Sequence, residues 1–335
     1  MTNLESLRPE KAVEMYLTSR EDEVTKKSLQ NIKSDLKVFK QWCTARGIDD
    51  MNDIDGRKLI DFRTWRSEKV KLITLKHNLW TIKKFVRFCE QVDAVQEGTS
   101  EKVVIPETTD ADEVNDSFIQ ADDAEDILEY LEQFEYASLR HAVFLTLWHT
   151  GMRSSSLLAL DLEDFHSEEN KLCIRHRPTT GTALKNKERG ERNVFIKDEL
   201  VAVIEDFIGE NRADVLDEHG RRPLFATTNT RVSRTTVQRV IYTATRPCHI
   251  RKKCPHDREI SECEANSYNL ACKCPSSFSP HPLRKGAITY MLNEDTPQKV
   301  ISDRMDVSSE VLDKHYNKQS KDEQMNIRQK YINDL

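Results

Sequence analysis

Four residues that lie far apart in the 335-residue chain have side chains that could act together on a phosphodiester. They are Arg153, His281, Arg284 and Tyr316, in that order along the sequence. Exchange of one phosphodiester for another needs a nucleophile, positive charge around the phosphate and a proton for the leaving oxygen. A phenol, two forked guanidinium groups and an imidazole can supply all three. Each residue alone would be ordinary surface charge or packing, but the ordered set predicts phosphoryl chemistry.

The residues around this set form two boxes with recognisable spacing. The first box is Thr150-Gly151-Met152-Arg153, and the second is His281-Pro282-Leu283-Arg284-Lys285-Gly286. They resemble the boxes T-G-x-R-x-x-E and H-x-L-R-[HK]-G of the tyrosine recombinase (Xer-type integrase) family. The family's next motif is L-G-H, and its nucleophilic Tyr lies nine positions after the His. Here Met305-Asp306-Val307 is similar to L-G-H, and Tyr316 lies nine positions after Val307. The chain resembles an archaeal-like variant of this family that carries a Cys-rich insertion.

The resemblance implies a function for each residue of the set. Tyr316 would attack the scissile phosphate and form a 3′-phosphotyrosine link, which stores the bond until the hydroxyl of a second strand attacks. Arg153 and Arg284 would bind the non-bridging oxygens of the transition state. His281 would orient the phosphate or accept the tyrosine proton. No cofactor is implied for catalysis.

In the family, a lysine on a β-hairpin protonates the departing 5′ oxygen. The segments 171–177 and 192–196 have the composition of two strands, and the residues between them are rich in Thr, Gly, Lys and Glu, which is typical of an exposed hairpin end. This end contains Lys185 and Lys187. We predict Lys187, five residues before Arg192 in the second strand, as the general acid, with Lys185 as the alternative.

Two positions depart from the family's motifs. Ser156 stands where the first box has Glu, so it brings no charge to brace its neighbours. Val307 stands at the position of the second motif His, and its side chain cannot donate a hydrogen bond to a phosphate. Loss of one such donor typically costs about 100- to 1000-fold in rate. Polar residues near this position that could substitute are Asp303, Arg304, Asp306, Lys314 and His315.

Helix-period patterns dominate the N-terminal part of the chain. Apolar residues at spacings of three and four predict one helix between Thr25 and Gly47 and another from Leu75 to Cys89. The second helix also carries four basic residues that we predict to bind DNA: Lys76, Lys83, Lys84 and Arg87. The alternative is a solvated surface on which the lysine stems cover apolar neighbours.

The distribution of charge and periodicity predicts two domains. Glu97 to Asp126 contains eleven acidic residues and one lysine, a net charge of −10, which leaves +4 on the rest of a chain whose net charge is −6. Residues 97–120 lose helical periodicity and have the composition of a linker. We predict a helical core-binding domain at 1–96 and a catalytic domain at 121–335 that is mostly helical with a small antiparallel sheet. The fold class is mainly α (α+β).

Five of the eight cysteines crowd into a polar insertion at 247–275 that has few apolar residues to bury. The five are Cys248, Cys254, Cys263, Cys272 and Cys274. Because disulfides are rare inside cells, we predict that a structural zinc ion stabilises the fold of this segment. The preferred ligands are Cys248, Cys254, Cys263 and Cys274. Free thiols and redox pairing are the alternatives.

These features predict a site-specific DNA recombinase or integrase that acts on double-stranded DNA as a homo-oligomer. No stretch approaches the roughly 20 apolar residues of a membrane-spanning helix. The first residues show no basic leader or apolar segment, so we expect a soluble, cytoplasmic protein. One alternative is a DNA-binding protein derived from a recombinase, which Ser156 and Val307 favour. Another is a type IB topoisomerase, which would relax supercoils without paired sites.

Overall fold

The computed structural model of the protein describes residues 4–109 and 117–315, together with residues 325 and 329. It divides into two compact units, Met1–Asn115 and Asp116–Leu335. The division falls within residues 97–120, the segment that the sequence predicts as a linker. Within the described ranges, no helix is both long and apolar enough to cross a membrane.

Helices make up most of the first unit. They are α1 (Pro9–Arg20), α2 (Lys26–Arg46), α3 (Gly56–Ser67) and α4 (Leu72–Gln91). The caps of α2 confirm the boundaries predicted from the sequence. The Thr25 hydroxyl accepts a hydrogen bond from the backbone N–H of Ser28, and Gly47 ends the helix in a left-handed conformation with φ of 64°. Apolar faces of the four helices meet in an aromatic core, whose buried rings include Phe39, Trp42, Phe62 and Phe85.

Part of the predicted linker packs on this first unit. Ser100–Lys102 forms a short 3₁₀ helix, and Val103 is buried against the aromatic core. The Glu90 carboxylate, at the end of α4, accepts hydrogen bonds from the backbone N–H and the hydroxyl of Ser100. These contacts hold residues 100–103 on the surface of α4.

The second unit is a helical assembly with one small sheet, so the predicted fold class is confirmed. Its helices are α5 (Ala121–Phe134), α6 (Leu139–Thr150), α7 (Ser154–Ala159), α8 (Asp198–Asp206), α9 (Arg234–Ala244), α10 (Pro247–Ile250), α11 (Pro280–Asn293), α12 (Gln298–Met305) and α13 (Ser309–His315). Helix α6 is buried on nearly every face and packs against α5, α8, α9 and α11. A Cβ at Gly286 of α11 would lie only 2.7 Å from Ile119 Cγ2 and 3.1 Å from Trp148 Cζ3. The glycine that ends the second box therefore lets α11 approach α6 closely.

The sheet has the order β1 (Phe165–His166), β2 (Lys171–Ile174) and β3 (Arg192–Phe195), with antiparallel neighbours. The predicted strands at 171–177 and 192–196 are confirmed as β2 and β3, although β2 ends earlier. Beyond Ile174 the chain leaves the ladder for an irregular hairpin end. Arg177 anchors this end through two hydrogen bonds of 2.8 Å to the Asp164 carboxylate, a bidentate geometry that fixes both partners.

Candidate active site

Arg153 lies in the turn between α6 and α7. Helix α6 ends at Thr150 and is capped by Gly151, whose φ of 56° is left-handed. A Cβ at Gly151 would also lie 2.6 Å from Met305 Sδ, so a larger residue would displace this side chain in addition to straining the backbone. Arg153 is the N-cap of α7, and its carbonyl accepts the backbone N–H of Ser156 at 2.8 Å. Its side chain is 22% exposed.

Arg284 is almost fully buried on α11, where it joins two other elements. Its Nη1 donates to the carbonyl of Gly151 at 2.8 Å and to the carbonyl of Met305 at 2.7 Å. Its Nη2 lies 3.5 Å from the carbonyl of Asp306. These acceptors compensate for the desolvation of a buried charge. Arg284 therefore fixes the end of α6, which carries the Arg153 turn, against the end of α12.

Asp306 follows α12 and connects the hairpin to the first box. One of its carboxylate oxygens pairs with Nη1 of Arg153. The other accepts a hydrogen bond from Nδ2 of Asn186 at 2.7 Å. Asn186 stands between the two candidate lysines at the exposed end of the hairpin. The first box, the hairpin and the end of α12 thus meet around one carboxylate.

His281 lies in the first turn of α11, and its pKa is lowered from the ordinary value of 6.5. The residue is exposed overall, yet the packing around its ring still desolvates the imidazolium, and this is the main cause of the shift. Nearby cations lower the pKa further: Arg284, Lys185, Lys285 and Arg153. The imidazole is therefore neutral at pH 7 and can accept a proton. Both arginines and Lys185 therefore contribute to the positive potential at its ring.

We expect the pKa of His281 in the free protein to rise when Lys185 is replaced by Ala, because one of the cations that lower it is removed. The rise should be partial, since burial is the main cause and does not change. NMR titration of the imidazole Cε1–H, assigned with His281→Asn, measures the midpoint. Lys187→Ala is the matched control on the same hairpin. A larger shift with Lys187→Ala than with Lys185→Ala would contradict the position of Lys185 beside His281.

The hairpin also brings Arg192 to this region, which the sequence reasoning did not propose as a site residue. Its Nε donates to the carbonyl of Arg304 at 2.8 Å, and its pKa is lowered to about 10, chiefly by desolvation. The negative charge of Asp306 opposes the lowering of this pKa, while the positive charge of Arg153 adds to it. Within the described part of the chain, Nη2 of Arg192 is buried without a hydrogen-bond partner. The signal available in the sequence was an arginine at the first position of a strand, which is not distinctive.

The third motif, Met305-Asp306-Val307, has an apolar side chain at its last position, where the family's motif has His. Val307 is buried, and the candidates to replace its missing donor have other contacts. Arg304 donates to the carbonyls of Phe195 at 2.6 Å and His149 at 3.0 Å. Asp303 forms an exposed pair with Lys299 at 3.0 Å. The side chains of Lys314 and His315, and all of Tyr316, lie outside the described residues; the described part of α13 ends at His315, directly before the predicted nucleophile.

In the first unit, three of the four basic residues predicted to bind DNA have partners within the chain. Lys76 donates to the Thr108 hydroxyl at 2.5 Å. Lys83 and Arg87 both pair with Glu101, at 2.7 Å and 2.5 Å. Lys84 is exposed on the same helix, and so is the ring of Trp80, with 46% of its surface accessible. The face of α4 is therefore basic, with one acidic side chain lying across part of it.

Contacts other than metal ligation hold the Cys-rich insertion. The buried Arg246 donates to the carbonyl of Ala265, and the backbone N–H of Phe278 donates to the Thr245 hydroxyl at 2.8 Å. Small residues such as Ala271 are buried where the insertion packs on α9. Over the described ranges, no group of three or more His, Cys, Asp or Glu side chains is arranged to hold a metal ion. The zinc predicted for Cys248, Cys254, Cys263 and Cys274 is therefore not supported.

Comparison with known protein families decides the assignment. The model described as "Phage integrase family" matches residues 117–323, which is more than half of the chain and spans both boxes. The chain belongs to the phage integrase family. The predicted relationship to tyrosine recombinases is thereby confirmed. No curated protein matches this phage integrase family member.

Solved structures resemble this integrase family member in fold. The Tn1549 transposon integrase in complex with transposon right end DNA is 13% identical, with 97% of this chain and 99% of that chain covered and a TM-score of 0.67. A lambda integrase dimer bound to a COC′ core site is 12% identical, with 94% of this chain and 79% of that chain covered and a TM-score of 0.64. The N-terminal domain of a phage integrase/site-specific recombinase from Haloarcula marismortui is 31% identical over 30% of this chain and 99% of that chain, with a TM-score of 0.30. The first two likenesses show the fold.

Proposed function

We propose that this chain is a site-specific DNA recombinase that cuts and rejoins double-stranded DNA through a 3′-phosphotyrosine intermediate. The observation that supports it most is the convergence of Arg153, Arg284, His281 and the lysine-bearing hairpin around the end of α12. Membership of the phage integrase family supports the same function. The Tn1549 integrase was captured with DNA and lambda integrase as a dimer on DNA, and we extend both properties to this chain within the proposal.

In the proposed reaction, the oxygen of Tyr316 attacks the scissile phosphorus while the bond from phosphorus to the 5′ oxygen breaks. The phenol proton passes to the neutral imidazole of His281, and Lys185 gives a proton to the departing 5′ oxygen. Arg153 and Arg284 stabilise the charge on the non-bridging oxygens. In the joining step, the 5′ hydroxyl of a second strand attacks the phosphotyrosine and Tyr316 leaves. Because the link conserves the phosphodiester bond, no nucleotide or catalytic cofactor is consumed.

We assign the general acid to Lys185 in preference to Lys187. A general acid must lie within hydrogen-bond reach of the leaving oxygen, so it must share the region of the other catalytic groups. Lys185 acts on the pKa of His281, and the adjacent Asn186 is bonded to Asp306. Lys187 has a left-handed backbone, with φ of 53°, at the start of a 3₁₀ turn. These observations therefore support Lys185 as the general acid more directly than Lys187.

We propose the basic face of α4 as one of the DNA contacts. Lys76, Trp80, Lys83, Lys84 and Arg87 recur at helical spacings of three and four, which puts them on neighbouring positions of one face. Charges on this face would neutralise backbone phosphates, and the exposed indole ring would add apolar contact beside them. Glu101 pairs with two of the cations, and its pKa is lowered by hydrogen bonds from Lys83 and then Arg87, so it is ionised at neutral pH.

Glu101→Gln should tighten DNA binding and make it more sensitive to salt. Removal of the carboxylate charge releases Lys83 and Arg87 to bind phosphates, so the slope of log affinity against log salt should steepen by up to about 2. Fluorescence anisotropy with a labelled duplex between about 50 and 200 mM salt measures both quantities. Glu107→Gln, which removes the same charge from the same segment, is the matched control. Equal slopes for the two variants would contradict this DNA contact.

Covalent trapping tests the proposed function. Duplexes selected from a random-sequence pool by binding to the full chain are nicked at successive positions, so that the short strand released by cleavage diffuses away and cannot be rejoined. We expect a protein band shifted by the mass of one DNA strand under denaturing conditions. A chain that binds the selected site but forms no such band with any nick would overturn the proposal in favour of the DNA-binding alternative. Relaxation of plasmids that lack the selected site would point to a topoisomerase.

A further inference from the structure

Asp306 adopts a backbone conformation that favours glycine, although its side chain is charged. Its φ is 54°, in the left-handed region where residues other than Gly are uncommon and Asp is among those tolerated. In the L-G-H motif that this segment resembles, Gly stands at the position of Asp306. A side chain kept at such a position is expected to contribute contacts that offset the backbone cost.

The carboxylate of Asp306 makes those contacts with two elements from distant parts of the chain. Its pairing with Arg153 spans 153 positions, and its hydrogen bond with Asn186 spans 120. The side chain of Asp306 is only 15% exposed, so water screens the ion pair less than it would a surface pair. Both oxygens are engaged at once, which fixes the orientation of the carboxylate.

The first box has no carboxylate at the position where the family's motif has one. Ser156 stands where the family's motif has Glu, and it is buried one turn after Arg153. Arg153 therefore receives its anionic partner from the end of α12 instead of from α7. Since the pair uses Nη1, most N–H donors of the guanidinium remain for a second anion such as a phosphate.

We infer that Asp306 is a positioning residue that takes over the bracing carboxylate missing at Ser156. It holds Arg153 in the orientation needed to bind the scissile phosphate, and through Asn186 it holds the hairpin that carries Lys185 beside the same phosphate. This inference rests on the proposed recombinase function. The competing possibility is that the carboxylate occupies the phosphate position in the free protein and must leave when DNA binds. The positioning function and this competing interpretation predict opposite changes in the cleavage rate when the Asp306 carboxylate is removed.

Asp306→Gly separates a positioning function from a structural one. Glycine adopts the left-handed backbone without strain, so the variant should keep its thermal unfolding midpoint. Its DNA affinity should not fall, because only a negative charge is removed. We expect the single-turnover rate of covalent-complex formation on a nicked duplex to fall by about 10- to 100-fold, because a misplaced phosphate ligand costs about that much. Asp306→Asn, which keeps the shape and loses the charge, should fall similarly. Asp303→Asn, on the exposed face of α12, is the matched control and should react at the wild-type rate.

A second variant tests whether the carboxylate can be relocated. Ser156→Glu in the Asp306→Gly background recreates the arrangement of the family's motifs and should recover at least about 10-fold of the lost rate. A wild-type or faster rate for Asp306→Gly would overturn the inference, and the faster rate would indicate that the carboxylate competes with phosphate. If the double variant fails to fold, the single variants decide the question.

A readout without catalysis distinguishes failure of this inference from failure of the proposed function. The Nε–Hε NMR signal of Arg153, assigned with Arg153→Lys, should show restricted rotation of the guanidinium in the wild-type chain and averaged rotation in Asp306→Gly. Absence of covalent complex in the wild type would refute the recombinase function but would not alter this signal. An Arg153 signal that is the same in both proteins would overturn the positioning by Asp306.

Discussion

Tyr316→Phe should abolish the covalent protein–DNA complex and leave DNA affinity unchanged. The substitution removes one oxygen atom, which is the proposed nucleophile, and keeps the aromatic ring of the side chain. Tyr316 comes directly after the last described residue of α13, whose buried Leu312 fixes that helix against the rest of the second unit. Denaturing gel electrophoresis with a nicked duplex measures the complex, and anisotropy with the intact duplex measures affinity.

Tyr290→Phe is the matched control for this loss. Tyr290 is half-buried on α11 and packs against Trp148, with ring centroids 5.8 Å apart, so the same atom is removed from another tyrosine of the second unit. It should form the covalent complex at the wild-type rate. A complex that persists in Tyr316→Phe would show that another residue is the nucleophile, and mass spectrometry of the DNA-linked peptide would then identify it.

The sequence predicted the elements whose ends carry strong local signals. Thr25 and Gly47 cap α2 where the pattern placed them, because a hydroxyl and a left-handed glycine act on the adjacent backbone alone. Strand β1 has only two residues and exists because it pairs with β2, so no local periodicity announces it. The prediction of zinc is not supported in the described residues. Hydrogen bonds from buried arginine and backbone groups, which composition does not reveal, hold the polar segment.

The candidate site was predictable to a different extent for each residue. Arg153 and Arg284 lie in boxes with fixed internal spacing, and the structure does bring their segments together. The choice between Lys185 and Lys187 depends on how an irregular hairpin end folds, which spacing within the loop does not determine. The contact of Asp306 with Arg153 joins residues with no local relation, and a lone Asp after a helix carries no signal of it.

Arg284→Lys should lower the rate of covalent-complex formation by about 100- to 1000-fold, although the positive charge remains. Nη1 of Arg284 donates to the carbonyls of Gly151 and Met305 together. The single nitrogen of a lysine cannot hold these carbonyls and also present the planar, forked donors that suit a phosphate. Each buried carbonyl left without a donor costs about 1–3 kcal/mol, so the free energy of unfolding should also fall. Single-turnover cleavage of the nicked duplex at saturating protein measures the rate, and thermal unfolding measures the stability.

Arg304→Lys distinguishes the catalytic effect from the structural one. Arg304 also donates to two backbone carbonyls, those of Phe195 and His149, so its replacement should cost a comparable amount of stability. Because its guanidinium contacts these carbonyls, Arg304 has no part in the proposed phosphate contacts, although the sequence alone left it open as a replacement donor. The rate for each folded molecule of Arg304→Lys should therefore fall much less than that of Arg284→Lys. Equal losses after correction for the folded fraction would mean that Arg284 acts through structure alone, and its proposed contact with the phosphate would be wrong.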